Sequence, residues 1–281
     1  MTSQIKTFLL LALLSGIILF LGQMFGGSSG LAIAAILALA MNLGSYWFSD
    51  TIVLKMYKAR EVGRDEAPML HGIVDSLAQR AGIPKPKVCI IPDSSPNAFA
   101  TGRNPGHAAV AVTDGILRLL SPDELRAVVA HEMGHIANRD ILVQTVASVL
   151  ATVIMYLANM LKFAAIFGGG SRDGERSGSG MAAGILMAFL APVAASLIQM
   201  AISRSREYLA DASGAQYSGS PLALASALSK LEDYSKQIPM QRQDPATESM
   251  FIVSPLLGGN LRNLFSTHPP TSERIARLRA M

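Results

Sequence analysis

Residues 121–137 are SPDELRAVVAHEMGHIA, and they contain the most complete set of local folding signals in the 281-residue chain. Ser121 is a natural N-cap, and Glu124 in the first turn completes a capping box. These signals predict a helix that begins at Pro122, since proline is favoured at the first helical position. No helix breaker follows, so the sequence predicts that the helix continues into an apolar segment starting at Ile141.

The predicted helix carries the pattern His-Glu-x-x-His at residues 131–135. His131 and His135 share one helix face at this spacing and can bind the same metal ion. Glu132 projects beside that ion, where a carboxylate can take a proton from a water that zinc has made more acidic. The pattern therefore predicts one catalytic Zn²⁺ per chain, with His131 and His135 as ligands and Glu132 as the general base.

A catalytic zinc site needs a third protein ligand and an open fourth position. No histidine follows the motif closely, so Glu207 is the best candidate for the third ligand. Glu207 and Asp211 share a helix face within SRSREYLAD at residues 203–211, and we expect Asp211 to accept a hydrogen bond from a ligand histidine. The alternative is a solvated, salt-bridged helix end below a membrane span.

Composition and hydropathy indicate a protein that is partly embedded in lipid. Hydrophobic residues make up 50% of the chain and charged residues 16%, which is unusually apolar for a soluble domain. Four apolar segments predict two membrane hairpins, 7–25 with 31–48 and 141–167 with 181–202. The first segment is not interpreted as a signal peptide, because it has no small-x-small cleavage site and a second apolar segment follows at once. The second hairpin is more polar, so full spanning and partial insertion both stay open.

Charge asymmetry predicts the orientation in the membrane. Basic residues follow the second and fourth apolar segments, while the link at 26–30 is uncharged. By the positive-inside rule, both termini and residues 49–140 face the cytoplasm.

The single cysteine, Cys89, excludes an intrachain disulfide and fits a reducing compartment. The net charge of +4 suits an anionic membrane surface, and no basic run with interleaved aromatic residues indicates nucleic acid.

The polar region between the hairpins predicts an α+β fold. Apolar spacing from Met69 to Ala81 predicts a helix that ends at Gly82. Strands are predicted at 87–91, 98–100 and 107–112, as a small antiparallel sheet packed on helices. The whole chain is then a mainly helical membrane protein with four hydrophobic helices and a cytoplasmic catalytic domain. Its predicted parts are a transmembrane hairpin at 1–50, catalytic regions at 51–140 and 203–281, and a second hydrophobic hairpin at 141–202.

One predicted strand is a candidate for substrate binding. Asn97, Ala98, Phe99 and Ala100 are expected to form an exposed edge strand that pairs with an extended polypeptide through backbone hydrogen bonds. Such pairing would suit a protease that accepts many sequences, because main-chain bonds do not distinguish side chains. The alternative is an ordinary hairpin strand.

The ordered motifs of this chain resemble the HtpX-type branch of the M48 membrane metallopeptidases, over nearly its whole length. They are HEMGH at 131–135, two apolar segments, SRSREYLADASGA at 203–215 and FSTHPP at 265–270, together with the leading spans. The resemblance implies a gluzincin-like site in which His131, His135 and Glu207 bind zinc and Glu132 is the catalytic carboxylate. It also implies a bacterial inner-membrane location and stress-related quality control of membrane proteins.

Two further residues are weaker candidates for the active site. Family similarity suggests that His268 lies near the site, where it stabilises the oxyanion or holds substrate; the alternative is a local hydrogen bond to the helix near Thr271. Arg204 is a candidate contact of the site or of Asp211, although a basic residue is expected at the cytoplasmic end of a span in any case.

The predicted function is hydrolysis of peptide bonds in misfolded or damaged membrane proteins at the cytoplasmic face. Polypeptides and the lipid bilayer are its expected partners. One rival is a prenyl-protein processing peptidase of the Ste24-type branch, although four apolar segments are few for the large intramembrane chamber of that branch. The other rival is a non-catalytic membrane scaffold or transporter with a structural zinc, whose signature would be four closed ligands.

Overall fold

The chain begins with a long, broken helix in the computed structural model, which describes residues 3–152, 154, 204–238, 240, 247, 250–252 and 269–281. Helix α1 (Ser3–Met56) is interrupted at Gly27, whose φ of 56° and ψ of −142° are not helical. Asn42 Nδ2 donates to Ser15 Oγ at 2.8 Å, so the two arms lie side by side as a hairpin. A side chain at Gly22 would collide with the opposite arm, which explains the glycine at this close approach.

Within the described part of the chain, one helix is long and apolar enough to cross a membrane. It is the arm Gly26–Met56, with 31 residues and a mean hydropathy of 1.7 in its most apolar stretch. Thr7–Phe20 and Ile141–Thr152 are shorter apolar helices. Most of the predicted second hydrophobic hairpin, from residue 155 to residue 202, lies outside the described residues.

The sheet is mixed rather than antiparallel, so that part of the predicted fold is wrong. Its strands are β1 (Arg60–Glu61), β2 (Lys87–Ile91), β3 (Ala98–Asn104) and β4 (His107–Thr113), in the order β1-β2-β4-β3. The β3–β4 hairpin is antiparallel as expected, but β2 pairs with β4 in parallel. The chain leaving β2 runs to the far edge, forms β3 there and returns beside β2 in the original direction.

Helix α4 (Pro122–Ala137) packs against several of the other described helices. Helix α2 (Pro68–Ala81) is followed by Gly82, whose left-handed φ of 64° confirms the predicted C-cap. The capping box between Ser121 and Glu124 at the start of α4 is also confirmed. The other helices are α2 (Pro68–Ala81), α3 (Asp114–Leu119), α5 (Ile141–Thr152), α6 (Arg204–Ser218), α7 (Pro221–Gln237) and α8 (Thr271–Arg279).

Helix α4 does not continue into the apolar segment, which corrects the sequence prediction. The helix ends at Ala137, and Arg139 adopts a left-handed φ of 58°. The N–H of Asp140 donates to the His135 carbonyl at 3.0 Å, and that of Arg139 donates to the Ile136 carbonyl at 3.1 Å. These two bonds form a Schellman motif, which stops a helix without glycine or proline. A new helix, α5, then starts at Ile141.

Helices α4 and α6 approach so closely that their backbones touch. A methyl group at Gly214 would lie 2.9 Å from the backbone N and Cα of His131. One at Gly134 would lie 3.2 Å from the Ala210 carbonyl. Because only glycine allows this approach, the two positions bring the histidines of α4 against the acidic residues of α6.

Candidate active site

Three buried side chains from α4 and α6 form a cluster that can hold a metal ion. One donor atom from each of His131, His135 and Glu207 lies within 4.8 Å of the others. The Nε2 atoms of His131 and His135 lie 3.9 and 3.5 Å from the Glu207 carboxylate oxygens, which is too long for good hydrogen bonds. Donors around a tetrahedral zinc ion with bonds of about 2.0–2.1 Å lie about 3.4 Å apart, so the residues present fit a zinc ion.

His131 is oriented by a fully formed chain of contacts. Its Nδ1 lies 2.9 Å from Asp211 Oδ1, as predicted for an acid that accepts the second ring N–H of a metal-binding histidine. Arg274 of α8 then donates to both oxygens of Asp211, at 2.9 and 2.7 Å. Burial opposes ionisation of Asp211, but Arg274 and His131 outweigh it and hold the pKa of this carboxyl well below its usual range.

Arg274 is a site residue that sequence reasoning missed. Its side chain is 2% exposed, and it also donates to the Ile252 carbonyl at 3.0 Å. The sequence held one indication that Arg274 is buried. Arg274 lies one helical turn before Leu278, so the two side chains share a face of α8, and Leu278 is fully buried. Its hydrogen-bond partner, Asp211, is distant in the sequence, so the pairing could not be predicted from local spacing.

His135 has a looser set of contacts. Its Nδ1 lies 3.7 Å from Asp140 Oδ2, and Arg206 approaches the other oxygen of Asp140 at 3.3 Å. Burial lowers the pKa of His135, but the carboxylates of Glu207, Asp140 and Glu132 outweigh burial and raise the pKa from 6.5 to about 9. Neither Asp140 nor Arg206 was predicted as part of the site.

Glu132 is buried beside the ligand cluster and is 2% exposed. Burial raises its pKa, and Glu207 adds to that effect, while the two histidines and a hydrogen bond from the backbone N–H of Ala100 oppose it. The Ala100 bond ties the carboxylate to the outer edge of β3. A carboxylate with a raised pKa at this position can both accept and return a proton.

Comparison with known proteins supports a proteolytic site. The sequence profile described as Peptidase family M48 matches residues 64–281. The chain belongs to peptidase family M48. It is therefore a metalloprotease, which removes the non-catalytic scaffold from the rival functions.

Several named relatives align with this M48 peptidase along its whole length. A "Protease HtpX homolog" from Syntrophobacter fumaroxidans is 55% identical over 282 residues and covers 100% of both chains. Another, from Pyrococcus furiosus, is 55% identical and covers 98% of this chain and 94% of its own. The fold is similar to that in the crystal structure of S. mikatae Ste24p, with a TM-score of 0.53 and 23% identity. That likeness covers 98% of the M48 peptidase and 65% of the Ste24p chain.

The candidate substrate strand of the M48 peptidase lies at a sheet edge, but it is not exposed. Asn97, Ala98, Phe99 and Ala100 are all buried, which corrects the expected exposure. The N–H of Ile252 donates to the Ala98 carbonyl at 3.1 Å, and Glu132 accepts from Ala100, so other groups cover this edge.

The two weaker candidates are not joined to the ligand cluster by the described contacts. Arg204 is exposed at the start of α6, and the arginine bound to Asp211 is Arg274 instead. His268 lies outside the described residues.

Proposed function

We propose that this M48 metalloprotease is a membrane-bound zinc endopeptidase. Its proposed substrates are misfolded or damaged membrane proteins, cleaved at the cytoplasmic face of a bacterial inner membrane during stress. The observation that carries the proposal is the buried cluster in which two imidazole Nε2 atoms face the Glu207 carboxylate. The long apolar arm Gly26–Met56 supports attachment to a membrane. Regions 51–140 and 203–281 would form one catalytic unit, because α4 and α6 contact each other directly.

His131, His135 and Glu207 would hold the zinc ion. When bound, zinc supplies a Lewis acid that polarises the scissile carbonyl and makes water more acidic. The distance of 2.9 Å between His131 Nδ1 and Asp211 favours the tautomer with its proton on Nδ1, so Nε2 is the ring nitrogen that would bind the metal. The protein thus prepares this ligand before a metal arrives.

Glu132 would transfer the proton. Its carboxylate takes a proton from the attacking water and returns it to the nitrogen of the leaving amine, so the two transfers balance. The Ala100 N–H holds the carboxylate in place, and burial raises its pKa, which favours temporary protonation. General acid–base help of this kind contributes about 10²–10⁴-fold to a rate.

The outer edge of β3 would bind the extended substrate. The Ala98 carbonyl points away from β4, as substrate pairing by backbone hydrogen bonds requires, while the Ala100 N–H stays with Glu132. A substrate strand would replace the bond from Ile252 to Ala98.

His268 is proposed to hold the substrate or stabilise the oxyanion. Arg204, which is exposed, is assigned to the end of the apolar segment rather than to the reacting atoms.

The mechanism is tested by Glu132→Gln in the full-length protein. The amide cannot accept the proton, so cleavage of an unfolded test protein should fall by at least about 10²-fold while zinc content stays at the wild-type level. Asp123→Asn is the matched control, because it converts an exposed carboxylate of the same helix to an amide. A Glu132→Gln variant that cuts at the wild-type rate would refute the proposed role.

The fold likeness to Ste24p favours a second candidate, a prenyl-protein processing peptidase. The two functions differ in substrate and share the metal site. Cleavage of a prenylated peptide and of its unmodified counterpart would separate them. The quality-control protease should cut both peptides at similar rates, whereas the processing enzyme should cut only the prenylated one.

A further inference from the structure

The two ligand histidines differ in how completely their outer nitrogens are held. His131 Nδ1 lies 2.9 Å from Asp211, which is itself held by two hydrogen bonds from Arg274. His135 Nδ1 lies 3.7 Å from Asp140, beyond hydrogen-bonding distance. The His131 ring is therefore held by a partner at its outer nitrogen, whereas the outer nitrogen of His135 is not.

The atoms on the His135 side are buried without partners. Among the residues that the structure describes, His135 Nδ1, Asp140 Oδ2 and Arg206 Nη2 have no hydrogen bond. The Asp140 side chain is 5% exposed and that of Arg206 is 12% exposed, so water does not replace the missing partners freely. Buried polar groups in this state are unfavourable, and a shift of about 1 Å would join the ring nitrogen to the carboxylate.

The backbone places Asp140 for this contact. Its N–H already donates to the His135 carbonyl at 3.0 Å, as the last bond of the Schellman motif. Its side chain is therefore carried by the same turn that ends the ligand helix. Arg206 immediately precedes Glu207 in α6, so its position is fixed by another ligand.

Asp140 and Arg206 also stand at the two ends of the second apolar region. Asp140 immediately precedes α5, which begins at Ile141, and Arg206 lies in the first turn of α6, just after residue 203. Their ion pair at 3.3 Å links the chain entering the 141–203 region to the chain leaving it. The link is made directly against a ligand histidine.

We propose that Asp140 and Arg206 are positioning residues for His135, and that metal binding closes the Arg206–Asp140–His135 chain. Asp140 accepts the Nδ1–H of His135, Arg206 holds Asp140, and the ends of the 141–203 region are fixed at the metal site. The inference rests on the proposed metal site. It gives a role to an arginine–aspartate pair that is largely removed from water, where the cost of desolvation can exceed the attraction between the charges.

Zinc affinity of the full-length protein, measured by competition with a colorimetric chelator, tests the proposal. Arg206→Gln and Asp140→Asn should each weaken zinc binding by about 10–100-fold, the usual effect of losing an outer partner of a metal ligand. The double variant should be no weaker than the worse single variant, because both residues act through His135. Arg206→Lys keeps the positive charge and should recover part of the affinity. Arg139→Gln is the matched control, since it removes an exposed charge next to Asp140.

The absorption spectrum of the Co²⁺-loaded protein provides a second measurement, because it responds to ligand geometry and not to stability. Arg206→Gln and Asp140→Asn should alter it, and Arg139→Gln should not. Affinities of both single variants within about twofold of wild type would overturn the inference, as would an equal loss in Arg139→Gln. If Arg206→Gln does not fold, the zinc affinities and Co²⁺ spectra of Asp140→Asn and Arg206→Lys test the inference instead. A wild-type protein that binds no zinc would instead refute the proposed metal site.

Discussion

At the scale of single residues, Glu124 shows how one carboxylate fixes the start of the ligand helix. It accepts hydrogen bonds from the Ser121 backbone at 2.9 Å, from Ser226 at 2.7 Å and from Lys230 at 2.8 Å. Burial opposes ionisation, but these contacts outweigh it and lower the pKa of Glu124 from 4.5 to about 2. Because the folded pKa lies below the unfolded one, the stabilisation is complete above about pH 4.3 and is lost as the pH falls toward 2.

Glu124→Gln should therefore lower the free energy of unfolding by about 1 kcal/mol at neutral pH, because the amide lacks the negative charge that Lys230 and the helix N-terminus stabilise. The deficit relative to wild type should shrink as the pH falls from 4.5 toward 2. Thermal unfolding in detergent, recorded at pH values across this range, measures it. Asp123→Asn, which replaces an exposed carboxylate of the same turn, should have a smaller effect at neutral pH. A deficit in Glu124→Gln that stays constant down to the lowest pH would contradict the role of the ionised carboxylate.

The residues that sequence reasoning missed all depend on tertiary contacts. The histidine pair and Glu132 could be predicted because a short motif on one helix fixes their geometry. No such motif contains Arg274, Asp140 or Arg206. Each of them was identified only by its contact with a residue of another element. A buried arginine can be predicted only when the acid beside it is known.

At the scale of the elements, a helix boundary could be predicted where the sequence carries a familiar capping signal. The capping box and Gly82 gave correct boundaries, since each is a local hydrogen-bonding pattern. The end of α4 was missed because its Schellman motif uses Arg139 rather than glycine in the left-handed position. The parallel pairing of β2 with β4 was missed because strand order is a long-range property.

The break after α4 places Asp140 beside His135. A continuous helix would carry Asp140 away along its axis, whereas the turn returns its N–H to His135. The same turn redirects the chain into α5. The end of α4, the position of Asp140 beside His135 and the start of the apolar region are therefore one structural feature.

At the scale of the whole molecule, the apolar hairpin is packed directly on the catalytic region. Tyr57, just beyond α1, contacts the rings of Phe99 and Phe251 at centroid distances of 5.9 and 5.0 Å. The guanidinium of Arg103 lies 4.7 Å from the Trp47 ring. Since Phe99 belongs to β3, the apolar hairpin and the proposed substrate strand meet in one aromatic cluster.

The proposed orientation predicts the accessibility of single cysteines in intact cells. Ser28→Cys, in the exposed turn of the hairpin, should react with a membrane-impermeant thiol reagent, while Asp65→Cys should react only after permeabilisation. Burial raises the pKa of the native Cys89 thiol from 9.0 to about 11, so the background should be low. The reverse pattern would place the catalytic region on the other side of the membrane.

The central claim is that two distant parts of the chain meet around one ion, and zinc content after dialysis against a weak chelator tests it most directly. We expect one zinc per chain in the wild type and in Glu132→Gln, and loss of most of it in His131→Ala, His135→Ala and Glu207→Ala. The Glu207 variant is decisive, because its position was inferred from a separate segment. Full zinc occupancy in Glu207→Ala, with wild-type affinity, would show that the metal is held elsewhere.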